Sequence, residues 1–254
     1  MKWTPINGAF KRSLDAVHTS VVYCRGSVYV FGGFDSPMIY SRYSLSNHQC
    51  ERNDIVGISG GNWISTCYDG NHHIYLVGGD HNGQRLNRVD CFDIVTGQFS
   101  HIGHLPYSLA FAFICFHNNS IIVVGGAKDG KANQDILSFN IQTHDTEVLI
   151  KSLDNGVYDT YCYDGKEYIY VLSKHSFMRY SLDTTKPSTA RLALCPTATG
   201  HLCSMIYDQQ YGIVYLGGTG LTYHYSTQDN KWTMIDDQDN VNGRYCYGAC
   251  LIRD

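Results

Sequence analysis

The chain has 254 residues and a formal net charge of -4, and its 20 Tyr, 10 Phe and 25 Gly accompany only 5 Pro. This composition favours short strands joined by tight turns. The 19 basic and 23 acidic side chains form no run of like charge, which argues against a nucleic-acid partner. No segment approaches the ~20 apolar residues that cross a bilayer, and the opening MKWTPINGAFKR lacks the apolar stretch of a secretory signal. We therefore expect no membrane partner and a cytoplasmic location.

Short apolar runs, most of them followed by a glycine pair, recur along the chain. They are Val28–Phe31, Ile74–Val77, Ile121–Val124, Ile169–Leu172 and Ile213–Leu216. Their first residues lie 46, 47, 48 and 44 positions apart. A run of four apolar residues bounded by glycine is typical of a strand buried on both faces. We name this element strand b of each repeat.

Each strand b follows a polar turn and another apolar segment, which we name strand a. The turns are Arg25-Gly26, Asp69-Gly70, Asn118-Asn119, Asp164-Gly165 and Asp208-Gln209. These residue types tolerate the positive φ of two-residue hairpin loops, so strands a and b are predicted to pair antiparallel. Strand c is then centred on an aromatic residue, and a less regular strand d follows; the aromatic residues are Tyr43, Phe92, Phe139, Tyr180 and Tyr225.

The glycine pair, the aromatic residue about eleven positions later and Trp232, seven residues beyond Tyr225, together resemble the kelch repeat. The positions equivalent to Trp232 are predicted to be Cys50, Phe99, Thr146 and Pro187. The fourth repeat has Ser173-Lys174 in place of glycines, which predicts a distorted fourth blade. Segments such as CYDGNHHIYLVGG are similar to the kelch portion of B-box zinc finger/kelch proteins, but no such zinc module occurs in this sequence. The resemblance implies a β-propeller of four-stranded blades that serves as a protein-interaction scaffold.

The two ends of the chain look like parts of one further repeat. Lys2–Ile6 reads almost like Lys231–Ile235, and Arg244–Ile252 resembles a sixth strand a. We therefore predict one all-β domain over residues 1–254, with five full repeats and an incomplete sixth blade formed from both termini. A five-bladed ring with irregular terminal strands is the alternative. We expect a monomer, with strand exchange between chains as a further possibility.

The sequence patterns that could suggest catalysis or metal binding have simpler structural explanations. Gly57–Gly61 fits a nucleophile-elbow pattern but lies between strands d and a, where a loop is expected. The ten cysteines include no CxxC pair, and we expect reduced, packed thiols. The closest histidine groupings are His72-His73 with His81, and His101 with His104, and neither predicts a metal site. We therefore expect no cofactor, no metal and no catalytic residue.

The strand directions place the b–c and d–a connections on one face of the disc, which we call the loop face. Loops on a rigid scaffold commonly carry recognition residues. We predict that a protein or peptide partner binds there, through Arg12, Asp35, Asp80, His81, Arg85, Tyr107, Lys128, Tyr158, His175 and Arg244. The alternative is a metal-dependent enzyme or small-ligand binder that uses the central channel, through Ser20, Ser65, Thr66, Asp159, Thr160, His201 and Ser204.

Overall fold

The computed structural model describes residues 10, 16–199, 202–217, 220–236 and 246–252. Each of the five repeats forms a four-stranded antiparallel sheet, and no helix occurs among these residues. The innermost strands of successive sheets contact one another around a common axis. The prediction of an all-β propeller with four-stranded blades is confirmed.

The strands are numbered in chain order. Blade one comprises β1 Val21–Cys24, β2 Ser27–Phe31, β3 Ile39–Ser44 and β4 Cys50–Asp54, and blade two comprises β5 Ser65–Tyr68, β6 His73–Val77, β9 Arg88–Asp93 and β10 Gln98–His104. Blade three comprises β11 Phe113–His117, β12 Ser120–Val124, β15 Ile136–Asn140 and β16 Thr146–Ile150. Blade four comprises β17 Thr160–Tyr163, β18 Tyr168–Leu172, β19 Phe177–Ser181 and β20 Thr189–Arg191, and blade five comprises β21 Ser204–Asp208, β22 Gly212–Leu216, β23 Thr222–Ser226 and β24 Lys231–Ile235.

Two small hairpins project from the b–c connections. The first, in blade two, is β7 Asp80–His81 with β8 Gln84–Arg85. The second, in blade three, is β13 Ala127–Lys128 with β14 Lys131–Ala132. Both hairpins therefore place charged residues on the loop face.

The aromatic residue of strand c pairs with one position of strand d in every blade, and blade four departs from the predicted register. Tyr225 lies opposite Trp232, as the sequence spacing predicts. In blade four, however, Tyr180 lies opposite Thr189 rather than Pro187. The turn before β20 is longer than in the other blades, and it shifts the pairing by two residues. Blade four nevertheless keeps four strands, with a short outer strand of three residues.

The predicted two-residue hairpin loops occur in only two blades. Arg25 and Gly26 have φ of 44° and 70°, and Asn118 and Asn119 have φ of 46° and 57°, as such loops require. The other three turns are longer because an aspartate folds the backbone back on itself. Asp164 Oδ1, for example, accepts hydrogen bonds of 2.8–3.0 Å from the three N–H groups at 166–168.

The hydrophobic core lies between the blades rather than within them. Phe31 and Tyr40 of blade one share a buried cluster with Ile74 and Phe92 of blade two. Equivalent clusters join each later pair of neighbouring blades. A single four-stranded sheet has no other partner for these faces, so the blades stabilise one another.

The first glycine of the recurring pair permits this close stacking. Gly78 has φ of +63°, and a Cβ placed there would overlap with the carbonyl oxygen of Leu109, in the loop that leads to blade three. Gly32 has φ of +62°, and a Cβ placed there would overlap with the carbonyl oxygen of Gly61 in the same way. Only glycine combines this backbone conformation with so near a neighbour.

Residues 246–252 fill the space between blade five and blade one. Ser204 Oγ donates a hydrogen bond of 2.9 Å to Tyr247 O, and His18 Nδ1 lies 2.9 Å from the same oxygen. A Cβ on Gly248 would clash with Val21 of β1. The segment therefore touches the inner strands on both of its sides.

The contacts of this segment repeat a contact made between successive blades. Trp63 N–H donates to Ala16 O at 2.9 Å, and Cys246 N–H donates to Leu202 O at 2.8 Å. The segment thus lies where a sixth inner strand was predicted, but it forms no strand, and the described residues form five blades, as in the alternative. The N-terminal part of that prediction, residues 2–6, lies outside the described residues.

The ten cysteines all fall among the described residues and form no disulfide with one another. Cys67, Cys115 and Cys162 occupy matching buried positions on inner strands. Burial raises the pKa of each of these thiols, so they remain protonated and pack as small apolar groups. No helix in the described part of the chain is long and apolar enough to cross a membrane.

Candidate functional site

An aromatic cluster lies where the d–a connections meet the axis on the loop face. The rings of Trp63 and Phe111 are 4.5 Å apart, and Tyr158 packs edge-on against Phe111 at 5.6 Å. Leu202, from the connection into blade five, belongs to the same apolar cluster. The three aromatic residues come from three successive connections, so the cluster exists only in the assembled ring. We call Trp63, Phe111 and Tyr158 the mouth cluster.

The backbone holds two of these aromatic residues in an unusual conformation. Trp63 has φ of 52° and Phe111 has φ of 60°. Bulky side chains rarely adopt this left-handed region, so the surrounding structure must fix it. The hydrogen bond from Trp63 N–H to Ala16 O supplies part of that restraint. The backbone therefore constrains two of the three residues of the mouth cluster.

Arg85 lies over the mouth cluster. Its guanidinium carbon is 5.4 Å from the ring centre of Phe111 and 6.0 Å from that of Trp63. Its Nε is 3.6 Å from Asp80 Oδ2, and its Nη1 is buried without a hydrogen bond among the described residues. Asp80 Oδ1 accepts the N–H of Gly83, which fixes the hairpin between β7 and β8. The guanidinium therefore combines stacking with an unused donor.

Three of the predicted loop-face residues thus come together, and two others form a separate pair. Asp80, Arg85 and Tyr158 meet at the mouth cluster, whereas Lys128 Nζ sits 3.6 Å from the ring centre of Tyr107. The Tyr107 hydroxyl donates to Asp135 Oδ2 at 3.0 Å. Burial, followed by this hydrogen bond, raises the pKa of Tyr107. The Lys128–Tyr107 pair is therefore a fixed cation–π contact on the third blade's side.

The remaining predicted residues lie around this centre or outside the described residues. His81, in the same hairpin as Arg85, has its Nδ1 3.1 Å from Gly60 O. His175 is exposed in the short b–c connection of blade four, where its carbonyl accepts a hydrogen bond from Arg191. Asp35 is exposed in the corresponding connection of blade one. Arg12 and Arg244 lie outside the described residues.

Sequence reasoning missed Trp63 and Phe111, although a signal for them exists. Ala16, Trp63, Phe111 and Tyr158 are 47, 48 and 47 residues apart, which is the period of the repeat. Applying the period to loops as well as strands would have grouped them. Trp63, Phe111 and Tyr158 each lie two residues before the first residue of an inner strand.

The axial channel contains a cavity of about 110 Å³, and hydroxyl groups on the inner strands around it already make hydrogen bonds. Ser65 Oγ donates to Ala112 O at 2.6 Å, and Thr160 Oγ1 donates to Cys203 O at 3.1 Å. These bonds join neighbouring blades, as the Ser204 bond does. Among the described residues, no three His, Cys, Asp or Glu side chains are grouped to hold a metal ion. Ser20 and Thr66 also bond to backbone oxygens, and His201 lies outside the described residues.

One ionisable group of the channel wall links stability to pH. Enclosure at this site lowers the pKa of His18, whose Nδ1 faces Tyr247 O. In the unfolded chain, histidine becomes protonated near pH ~6.5. Between that pH and the lower pKa of folded His18, the unfolded chain therefore binds more protons than the folded chain. Stability therefore falls as the pH drops through this window.

We expect His18→Asn, whose amide can still donate to Tyr247 O, to reduce this acid sensitivity. The measurement is the urea midpoint at pH 7.5 and at pH 5.5, for the parent and the variant. His175→Asn, at an exposed position, is the control and should keep the parent's pH dependence. An unchanged pH dependence in His18→Asn would show that other groups govern it.

Comparisons with known proteins agree with the repeat and the fold. Residues 70–106, in blade two, match the kelch motif. A RING finger domain and kelch repeat-containing protein of Dictyostelium discoideum is 22% identical over 165 residues, which are 64% of this chain and 16% of that relative. The match therefore spans a small part of the relative's length. The solved structure of YjhT superposes with a TM-score of 0.74 at 12% identity, over 94% of this chain and 90% of that chain, a likeness of fold alone.

Proposed function

Because this chain is a kelch-repeat β-propeller, a fold that commonly serves as a protein-interaction scaffold, we propose that it binds a peptide or protein segment on its loop face. The observation that carries the proposal is the position of Arg85 over the mouth cluster. Arg and aromatic residues are the types that most often anchor protein interfaces, and here they are brought together from separate blades. The Dictyostelium relative joins its repeats to a RING finger, but nothing here assigns that role to this chain.

The chemistry of the cluster suits a mixed polar and apolar partner. Tyr158 is 48% exposed, so its ring can cover an apolar side chain of the partner. The Arg85 side chain is 34% exposed, so its guanidinium can donate a hydrogen bond to a backbone or side-chain oxygen of the partner. Phe34, 65% exposed in the b–c connection of blade one, adds a second apolar contact on the same face.

The loop face is favoured over the channel because of how the polar groups are used. The hydroxyls of Ser65 and Thr160 hold neighbouring blades together, whereas the Arg85 side chain is 34% exposed above the mouth cluster. We therefore propose a non-enzymatic module rather than a metal-dependent enzyme or small-ligand binder. We also propose that it acts as a monomer in the cytosol, where protonated, unpaired thiols are the normal state of cysteine.

We expect Arg85→Ala and Tyr158→Ala each to weaken partner binding about tenfold or more, which corresponds to ~1.4 kcal/mol. Removing Arg85 eliminates both the stacked cation and its donor, while the aromatic rings beneath it remain. The measurement uses peptides selected from a displayed library on the parent protein, with affinities determined for the parent and each variant.

Tyr211→Ala is the matched control, because Tyr211 is 58% exposed in the a–b turn of blade five, on the opposite face. This variant should retain the parent's affinity. Selected peptides that bind Arg85→Ala as tightly as the parent, or that depend on Tyr211, would place the site elsewhere.

A further inference from the structure

The outer strand of blade two carries a pair of histidines whose ring nitrogens converge. His101 Nε2 lies 3.1 Å from His104 Nε2, and the two rings are 4.5 Å apart. Both residues are exposed at the rim of the disc, away from the loop-face site. The described contacts of the mouth cluster and the channel do not involve this pair.

A bulge in β10 brings the two side chains to one face. In a regular strand, residues three apart point to opposite faces of the sheet. Here His101 lies opposite Asp90, but Gly103 lies opposite Val89 and His104 opposite Arg88, so the register shifts by one residue. The extra residue restores His104 to the face that carries His101. The sequence spacing alone therefore argued against a pair that the folded strand forms.

A buried carboxylate orients the ring of the first histidine. Asp90 Oδ1 is 2.8 Å from His101 Nδ1, and the Asp90 side chain is 5% exposed. Arg88 holds the same carboxylate through Nη2 at 2.8 Å and offsets its charge. In the neutral ring Nδ1 carries the proton donated to Asp90, so Nε2 presents its lone pair toward His104. A carboxylate behind a histidine is the arrangement that orients metal-binding imidazoles.

From this geometry we propose that His101 and His104 chelate one divalent cation of the imidazole-preferring class, through their Nε2 atoms, at the outer edge of blade two. Two nitrogens at ~2.0–2.1 Å from one metal stand roughly 2.9–3.4 Å apart for right-angled to tetrahedral arrangements, so the observed pair needs little movement. Imidazole suits Cu²⁺, Ni²⁺ and Zn²⁺, and affinity should follow the order Cu²⁺ above Ni²⁺ and Zn²⁺. Water completes the coordination in the isolated protein.

The test is metal binding by the purified chain, measured with Cu²⁺, Ni²⁺ and Zn²⁺ salts by titration calorimetry. We expect one site that is lost in His101→Ala/His104→Ala, and each single variant should weaken it at least tenfold because chelation needs both rings. The control is His144→Ala/His175→Ala, which removes two exposed histidines on other blades and should leave the site unchanged.

Electron paramagnetic resonance of bound Cu²⁺ detects the coordinating nitrogens directly, so it distinguishes metal ligands from histidines with only a structural role. The parent should show coupling to two imidazole nitrogens, and each single variant should lose one of them. Asp90→Asn, which removes the orienting charge, should weaken binding about tenfold. Equal metal affinity in the parent and His101→Ala/His104→Ala would overturn the proposal, as would binding lost in the control pair instead.

Discussion

Phe31→Ala is expected to lower the free energy of unfolding by about 3–5 kcal/mol, which is typical of truncating a fully enclosed aromatic ring. Phe31 is 0% exposed, and its ring lies 5.6 Å from those of both Tyr40 and Phe92. Because Tyr40 belongs to blade one and Phe92 to blade two, the resulting cavity would open at a contact between blades. Loss of this contact should therefore make unfolding of the whole ring less cooperative, as well as destabilise one sheet.

Denaturant unfolding followed by tryptophan fluorescence checks this prediction. Phe34→Ala is the matched control, since it makes the same truncation three residues later at a side chain that is 65% exposed. That control should change stability by no more than about 0.5 kcal/mol. Similar losses in the two variants would contradict the assignment of the core to the space between blades.

Gly78→Ala is expected to destabilise the chain by about 2–4 kcal/mol, far more than a typical surface change. Two costs combine at this position. The φ of +63° disfavours any residue with a Cβ, and the added methyl would overlap with Leu109 O. The backbone of the next blade cannot withdraw without breaking the bond from Gly79 N–H to the same oxygen.

Gly70→Ala separates the two costs. Gly70 has φ of +82°, but a Cβ there would meet nothing within 4 Å. This variant should be destabilised only by the unfavourable backbone conformation, by about 1 kcal/mol. Thermal and urea unfolding of the two variants give the comparison, and equal losses would mean that close blade stacking contributes nothing at Gly78.

Much of the fold could be predicted because its signals are local. The b strands at 74–77 and 121–124 follow from apolar runs that end in glycine, and the structure places strands over both. The turn at Asn118-Asn119 follows from residue types that accept positive φ. The register of blade four was predicted wrongly at Pro187 because the length of a polar turn leaves no periodic trace.

The candidate site was predictable only in part. Asp80, Arg85 and Tyr158 were named because charged and aromatic residues on loops suggest recognition. Their actual neighbours, Trp63 and Phe111, were missed because their proximity depends on the stacking of separate blades. His101 and His104 were not predicted to bind a metal because no nearby residue completes a site, and the bulge that brings them to one face has no sequence signature here.

By itself, the sequence determined the number of full repeats, the order of strands in each blade and the residues that become buried. These properties follow from short-range patterns of apolar, glycine and turn residues within about one repeat. Only the tertiary structure decided which loops share a centre, which hydroxyls join neighbouring blades and where residues 246–252 lie. Those contacts join residues of different repeats, and their distances depend on the register and stacking of whole sheets, which no local pattern encodes.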